Sequence, residues 1–151
     1  MRSLGFRCWK DRFAFVVLRG KQQSARLVAQ EVRRAPTGAG RAEFLSWIRK
    51  SVREIIAKYD PDEVRYKTAE GSARNKDLAR AQVEGVLQEA AYSRNRIVTS
   101  KVKSQLRKDI CAFTGQAGYV QRALPQHGLT TLDVTDYREA ALAALSGLPP
   151  A

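Results

Sequence analysis

Histidine and cysteine are scarce in this sequence, which contains one His and two Cys. The two cysteines, Cys8 and Cys111, form no CxxC motif. Because a structural zinc site needs about four ligands, zinc binding is excluded. The pair could form one disulfide, but isolated cysteines without a pattern are more typical of reduced core thiols in a cytosolic protein.

Long apolar runs are also absent. No stretch approaches the roughly twenty apolar residues that a membrane-spanning helix needs. The segment from Met1 to Arg7 alternates and carries charge, unlike the apolar region of a signal peptide. We therefore expect a cytoplasmic protein with no membrane segment.

Positive charge is abundant instead. The 151 residues include 27 Lys and Arg against 15 Asp and Glu, which gives a net charge of +12. Such an excess is typical of proteins with a polyanionic partner, most often nucleic acid, although a basic surface can also serve solubility alone. Apolar residues make up 44%, enough to form the core of a single domain over 1–151.

The N-terminal part of the chain predicts strands joined by short turns. The alternating residues 3–8, the polar turn 9–12 and the apolar run 13–18 indicate two strands. Residues 25–32 form either a third strand or a short helix. Three such strands would make an antiparallel meander.

Strands and helices alternate after the loop at 36–40, which favours a mixed sheet with helices packed on it. The clearest element is the first helix, because its apolar residues recur at helical spacing. The predicted elements are a helix over 44–58, a strand over 63–68, a helix over 75–92, a strand over 97–99, a helix over 102–110, a loop-rich stretch over 115–128 and a last helix that opens at 132–136.

Three segments of this order carry a family resemblance. Leu4-Gly5-Phe6 leads into a polar turn and a second hydrophobic strand. Tyr66 to Glu70 is a strand ending in a glutamate, and a Gly-bearing helix follows it at 79–86. Asp133 and Asp136 form an Asp-x-x-Asp pair that runs into an alanine-rich helix.

Together these segments resemble the RuvC-type Holliday-junction resolvases of the ribonuclease H-like superfamily. The resemblance implies an α/β, ribonuclease H-like fold: a mixed sheet with three N-terminal antiparallel strands and helices packed on it. It also implies a nuclease site in which four carboxylates hold two divalent metal ions.

By matching positions, Glu70, Asp133 and Asp136 would supply three of those four carboxylates, with Mg²⁺ as the metal if the site is active. The family places its first acid just after the Gly-hydrophobic step of the first strand, and this chain has Arg7 there. A guanidinium stays protonated and cannot bind a cation. We therefore expect Arg7 to pair with Glu70 or Asp133, and we expect the protein to need no cofactor.

Each acid also has an ordinary structural explanation. Asp133 and Asp136 stand where a helix begins, and carboxylates there cap the helix and favour the positive end of its dipole. Glu70 could be a solvated strand end, since exposed glutamate is common.

Basic residues with few acids nearby are candidate contacts to nucleic-acid phosphates. Trp9, at a turn beside Lys10 and Arg12, is the best exposed candidate for stacking on a base. The helical pattern places Trp47 near the apolar core instead. The candidate nucleic-acid contacts are Arg94, Arg96, Lys101, Lys103, Arg107, Lys108, Trp9, Lys10 and Arg12.

Three functions stay open at this point. The leading interpretation is a RuvC-like nucleic-acid-binding domain that is catalytically impaired, a pseudo-nuclease. The second is an active Mg²⁺-dependent, structure-selective endonuclease whose first acid comes from Asp11 or Glu84. The third is a protein-interaction module on the same scaffold, with an acidic protein or a second copy of the chain as its partner.

Overall fold

The computed structural model describes residues 1–70, 77–110 and 134–150, with the backbone alone for 134–136. The predicted loop at 115–128 lies outside this description. The elements are β1 (Arg2–Cys8), β2 (Arg12–Arg19), a 3-10 turn (Gln22–Ser24), β3 (Arg26–Arg34), α1 (Arg41–Tyr59), β4 (Glu63–Lys67), α2 (Leu78–Tyr92), β5 (Val98–Lys101), α3 (Lys103–Asp109) and α4 (Val134–Ser146).

The five strands form one mixed sheet in the order β3-β2-β1-β4-β5. β1, β2 and β3 pair antiparallel, while β4 runs parallel to β1 and β5 runs parallel to β4. The predicted mixed sheet with three N-terminal antiparallel strands is confirmed. The predicted strand near 97–99 is β5, which lies at the edge of the sheet with β4 between it and β1.

Partners in the sheet set several element bounds that local pattern left open or misplaced. The segment at 25–32 is a strand, since antiparallel pairing with β2 satisfies its backbone. β4 ends at Lys67 and β5 extends to Lys101 because the two strands pair up to these residues. The second helix begins at Leu78 rather than at 75, since the Asp77 side chain caps it by accepting from the Arg80 N–H at 3.0 Å.

Each face of the sheet carries its own apolar core. On one face, phenylalanines of β1 and β2 pack against α1 and α2, and Trp47 lies in ring contact with Phe13 and Phe44, as its helical position predicted. On the other face, α3 and the alanine-rich α4 cover Ala14, Val16 and Leu18 of β2. No helix in the described part of the chain is long and apolar enough to span a bilayer.

The free thiol of Cys8 is buried in the first of these cores, and burial raises the pKa of this thiol to about 12. This agrees with the expectation of a reduced core thiol. Cys111 lies outside the described residues.

Helix α4 approaches β1 unusually closely at Gly5. A Cβ atom added to Gly5 would lie 2.0 Å from the Ala140 carbonyl oxygen and 2.4 Å from the Ala144 nitrogen. The helix backbone therefore occupies the space that any other side chain on this strand position would need. Small residues on both elements fix how near α4 stands to the sheet.

We expect Gly5→Ala to lower the free energy of unfolding by about 1–3 kcal/mol, because the methyl group overpacks the interface with α4. Urea denaturation measures this loss. The matched control is Gly85→Ala in α2, where an added Cβ meets nothing within 4 Å. That substitution should stabilise by roughly 0.5–1 kcal/mol through helix propensity. Equal effects at both positions would contradict the close approach.

Candidate nucleic-acid interface

Every strand of the sheet places one cation on the face covered by α4. These cations lie at the end of the sheet where the parallel strands β4 and β5 have their C-terminal residues. Arg34 is the partner of Arg12, Arg7 pairs with Ala14 and with Lys67, and Lys67 pairs with Lys101. With neighbouring strands about 4.8 Å apart, these residues span roughly 19 Å. We call this set the cation row: Arg34, Arg12, Arg7, Lys67 and Lys101.

Strand alternation explains why the central cations share one face. Phe6 and Tyr66 belong to the core under α1 and α2. Because successive side chains of a strand point to opposite faces, Arg7 and Lys67 point toward α4. Both are largely shielded from solvent, with side-chain exposures of 17% for Arg7 and 8% for Lys67.

Like charges on neighbouring strands destabilise a sheet unless other groups neutralise them. Glu139 of α4 does this at the centre: its Oε2 is in direct contact with Arg7 Nε, and its Oε1 is 4.0 Å from Lys67 Nζ. Glu70 Oε1 is 3.1 Å from Lys67 Nζ on another side. At the β5 end, Asp109 Oδ2 is 2.7 Å from Lys101 Nζ.

Burial and neighbouring groups shift the pKa values of Arg7 and Glu70. Burial lowers the pKa of the Arg7 guanidinium, and the charge of Glu139 offsets part of that effect. Burial raises the pKa of Glu70, but the backbone N–H of Lys103 and the Lys67 ammonium together bring it below its ordinary value. Glu70 is therefore held as a carboxylate.

The structure gives Arg7 a partner that the sequence did not suggest, Glu139. Arg7 lies beside β4, but it contacts Glu139 rather than Glu70. Glu70 lies three residues beyond the end of β4 and contacts Lys67. Asp133 lies outside the described residues, and Asp136 is in the first turn of α4 with its side chain outside the description.

Sequence reasoning missed Lys67 and Glu139, although each left a signal. Lys67 follows the apolar Tyr66 on a strand, so alternation puts it on the face opposite the Tyr66 side chain. The spacing of two acids three residues apart is met twice, by Asp133 with Asp136 and again by Asp136 with Glu139. Only the position of α4 on the sheet shows that Glu139 reaches the cations.

The two acids considered as substitutes for the first ligand have partners of their own. Glu84 of α2 is buried and accepts from Arg80 Nε at 2.9 Å and from Thr68 Oγ1 at 3.0 Å. Asp11 is exposed at the turn between β1 and β2, where its Oδ1 lies 3.1 Å from Arg12 Nη1.

The described residues do not fit a two-metal centre. Divalent ions such as Mg²⁺ require several oxygen ligands, but the paired positions of β1 and β4 hold a guanidinium and an ammonium. In the described ranges, no three Asp, Glu, His or Cys side chains are placed to hold a metal ion together. The carboxylates that do approach one another here are already paired with cations.

The candidate phosphate contacts fall into two groups. Lys101 and Lys103 lie at the same end of the sheet as the cation row, and Arg107 and the exposed Lys108 follow on α3. Arg94 and Arg96 lie at the opposite end of the sheet, just before the first residue of β5. There Arg96 Nη2 donates to Asp60 Oδ1 at 2.6 Å.

Trp9 is less exposed than its position at a turn suggested. It is half-buried against the core under α4, because its ring packs with two cations of the row. The guanidinium carbons of Arg7 and Arg12 lie 4.7 Å and 4.4 Å from its ring centroid. Lys10, beside it, is exposed.

Several solved structures with this arrangement of strands and helices are resolvases. Thermus thermophilus RuvC superposes with a TM-score of 0.82 at 19% identity, covering 97% of this chain and 92% of RuvC. RuvC of the same organism in complex with a Holliday junction substrate gives 0.79 at 16% identity, covering 97% and 91%. The yeast mitochondrial Holliday junction resolvase gives 0.64 at 13% identity, covering 95% and 75%.

The chain therefore has the RuvC-type, ribonuclease H-like α/β fold that the resemblance implied. At the level of sequence, no protein-family model matches the chain and no curated protein matches it as a relative.

The lowered pKa of Glu70 predicts a pH dependence of stability. A carboxylate whose pKa is lower in the folded state stabilises the fold above its ordinary pKa, here 4.5, and loses that contribution as pH falls through the folded value. We expect Glu70→Gln to melt below the wild type at neutral pH, and the gap to shrink in acid. Thermal melts across this pH range measure it.

The matched control is Glu54→Gln, which removes an exposed carboxylate that forms no ion pair with any described residue. A gap between wild type and Glu70→Gln that widens as the solution becomes acidic would contradict the ion pair with Lys67.

Proposed function

We propose that this chain is a single RuvC-like nucleic-acid-binding domain in which fixed cations replace the divalent metals of an active resolvase. The observation that carries the proposal is the cation row, with one arginine or lysine from each of the five strands. A phosphate backbone is the polyanion that such an array attracts.

The rim of the cation row supplies direct contacts to phosphates. Lys10 and Arg34 are exposed and form no ion pair within the described residues. Lys103 is exposed at the other end of the row, beyond β5. The shielded cations between them add to the positive potential, since charges with low-dielectric walls are less screened than exposed ones.

Absence of cleavage follows from the same chemistry. A metal-dependent nuclease uses its ions to activate water and to support the leaving oxygen. In this chain Arg7 and Lys67 neutralise Glu139 and Glu70 permanently, and their charges repel an incoming Mg²⁺. Binding without hydrolysis is the function that this arrangement supports.

Binding should weaken steeply as salt rises, with a slope of about 0.9 per phosphate contacted on duplex DNA. Filter binding with a labelled duplex and a labelled four-way junction measures this slope. We expect Lys10→Gln/Arg34→Gln to lower the slope by about 1–2, because it removes two rim contacts. The charge-matched control is Lys50→Glu on the exposed side of α1, which should retain the wild-type slope.

No association of the wild type with DNA or RNA at low salt would overturn this function and would favour the protein-interaction module.

Removing the fixed cations should create a metal site. We expect the double variant Arg7→Asp/Lys67→Gln to melt at a higher temperature in Mn²⁺ or Mg²⁺ than in chelator. With the metal at 100 times its Kd, binding adds about 2.7 kcal/mol to the free energy of unfolding. The variant frees Glu139 and Glu70 and adds a third carboxylate beside them. Arg33→Asp/Lys50→Gln makes the same charge change elsewhere and should show no metal response.

Wild-type cleavage of junctions that needs Mg²⁺ and disappears in Glu139→Gln would show that the site is an active nuclease.

A further inference from the structure

We infer that a second phosphate-binding surface lies on the opposite face of the sheet, at its other end. It consists of three arginines that are cross-strand neighbours: Arg2 on β1 pairs with Arg19 on β2, which pairs with Arg26 on β3. We call these residues the outer arginine row. The inference rests on the proposed function, because it assigns a further contact surface to the same nucleic-acid ligand.

The outer arginine row faces the α1 side of the sheet. Leu4 and Val17, two residues from Arg2 and Arg19 on their strands, belong to the core under α1. Strand alternation therefore directs the arginines to this side. The contact from Arg2 Nη1 to the Tyr59 carbonyl oxygen at the end of α1, at 3.0 Å, agrees with this direction.

In the described ranges, no carboxylate pairs with the outer arginine row as Glu139 and Glu70 pair with the central cations of the cation row. Arg19 and Arg26 are exposed and form no ion pair with any residue in the described ranges, and neither does the nearby Lys21. Asp62 accepts from the backbone N–H of Arg2 at 2.8 Å. Asp60 is engaged by Arg96.

This contrast points to a ligand. Adjacent like charges on neighbouring strands destabilise a sheet. At the centre of the cation row, this chain neutralises such charges with the carboxylates of Glu139 and Glu70. The three Cα positions of the outer arginine row span roughly 10 Å. One strand of a duplex presents about three phosphates over that length of helix axis. A polyanion with regularly spaced charges fits this row better than a single small anion does.

The two surfaces are separate. Arg2 and Arg7 are five residues apart on β1, which places their Cα atoms about 17 Å from each other. They also lie on opposite faces of the sheet. A nucleic acid that contacts both must pass around the β1–β3 side of the molecule, or two segments of one branched or bent ligand must each contact one surface.

The test is the salt dependence of binding by Arg19→Gln/Arg26→Gln, using the same labelled duplex and four-way junction. We expect the slope to fall by about 1.8 and the affinity at 0.1 M salt to fall roughly 10- to 100-fold, since two phosphate contacts are lost. Both side chains are exposed, so melting temperature should stay near that of the wild type. Lys50→Glu, with the same change in net charge, should keep both slope and affinity.

Combining this variant with Lys10→Gln/Arg34→Gln distinguishes one surface from two. Additive loss of slope supports two independent contact surfaces on one ligand. Wild-type slope and affinity in Arg19→Gln/Arg26→Gln, with binding by the wild type intact, would overturn the outer surface and leave the proposed function standing. Failure of the wild type to bind at all would instead overturn the proposed function.

Discussion

The approach of α4 to β1 at Gly5 is the constraint on which the rest of the structure depends. With no side chain at this position, the helix backbone lies directly on the sheet. That distance brings Glu139, one residue before Ala140, onto Arg7 and Lys67. It also lets the Ser146 carbonyl at the end of α4 accept from Arg65 at 2.8 Å. A larger residue at position 5 would push the helix outward and separate these charges.

Once α4 is in place, carboxylates lie close together at the centre of the sheet, as they do in a metal-dependent nuclease. Carboxylates brought together at the end of parallel strands repel one another unless positive charge lies between them. Here side chains supply that charge, so the arrangement is complete when the chain folds. The neutralising groups are covalently attached, and they remain at any metal concentration.

The charges of this sheet are organised by face and by edge. The central cations of the row, Arg7, Lys67 and Lys101, are shielded from solvent and paired with Glu139, Glu70 and Asp109. The outer arginine row is exposed and lacks such partners among the described residues. The first arrangement stabilises the protein and shapes its potential, whereas the second leaves its charge available to an external anion. A net charge of +12 alone does not reveal this division.

The sequence by itself predicted the first two strands, most of the later elements and a mixed sheet with helices, because apolar periodicity and turn residues are local signals. The ribonuclease H-like fold class came from the resemblance of three segments to a known family. The sequence also marked Arg7 as incompatible with a metal ligand, since a guanidinium has no lone pair to offer at any register. Tertiary structure alone decided that Arg7 meets Glu139, that Lys67 stands beside it, and that Trp9 is covered by guanidinium groups. These contacts join residues far apart in the chain. They depend on the register of strand pairing and on how closely α4 packs on the sheet, and no local sequence pattern encodes either.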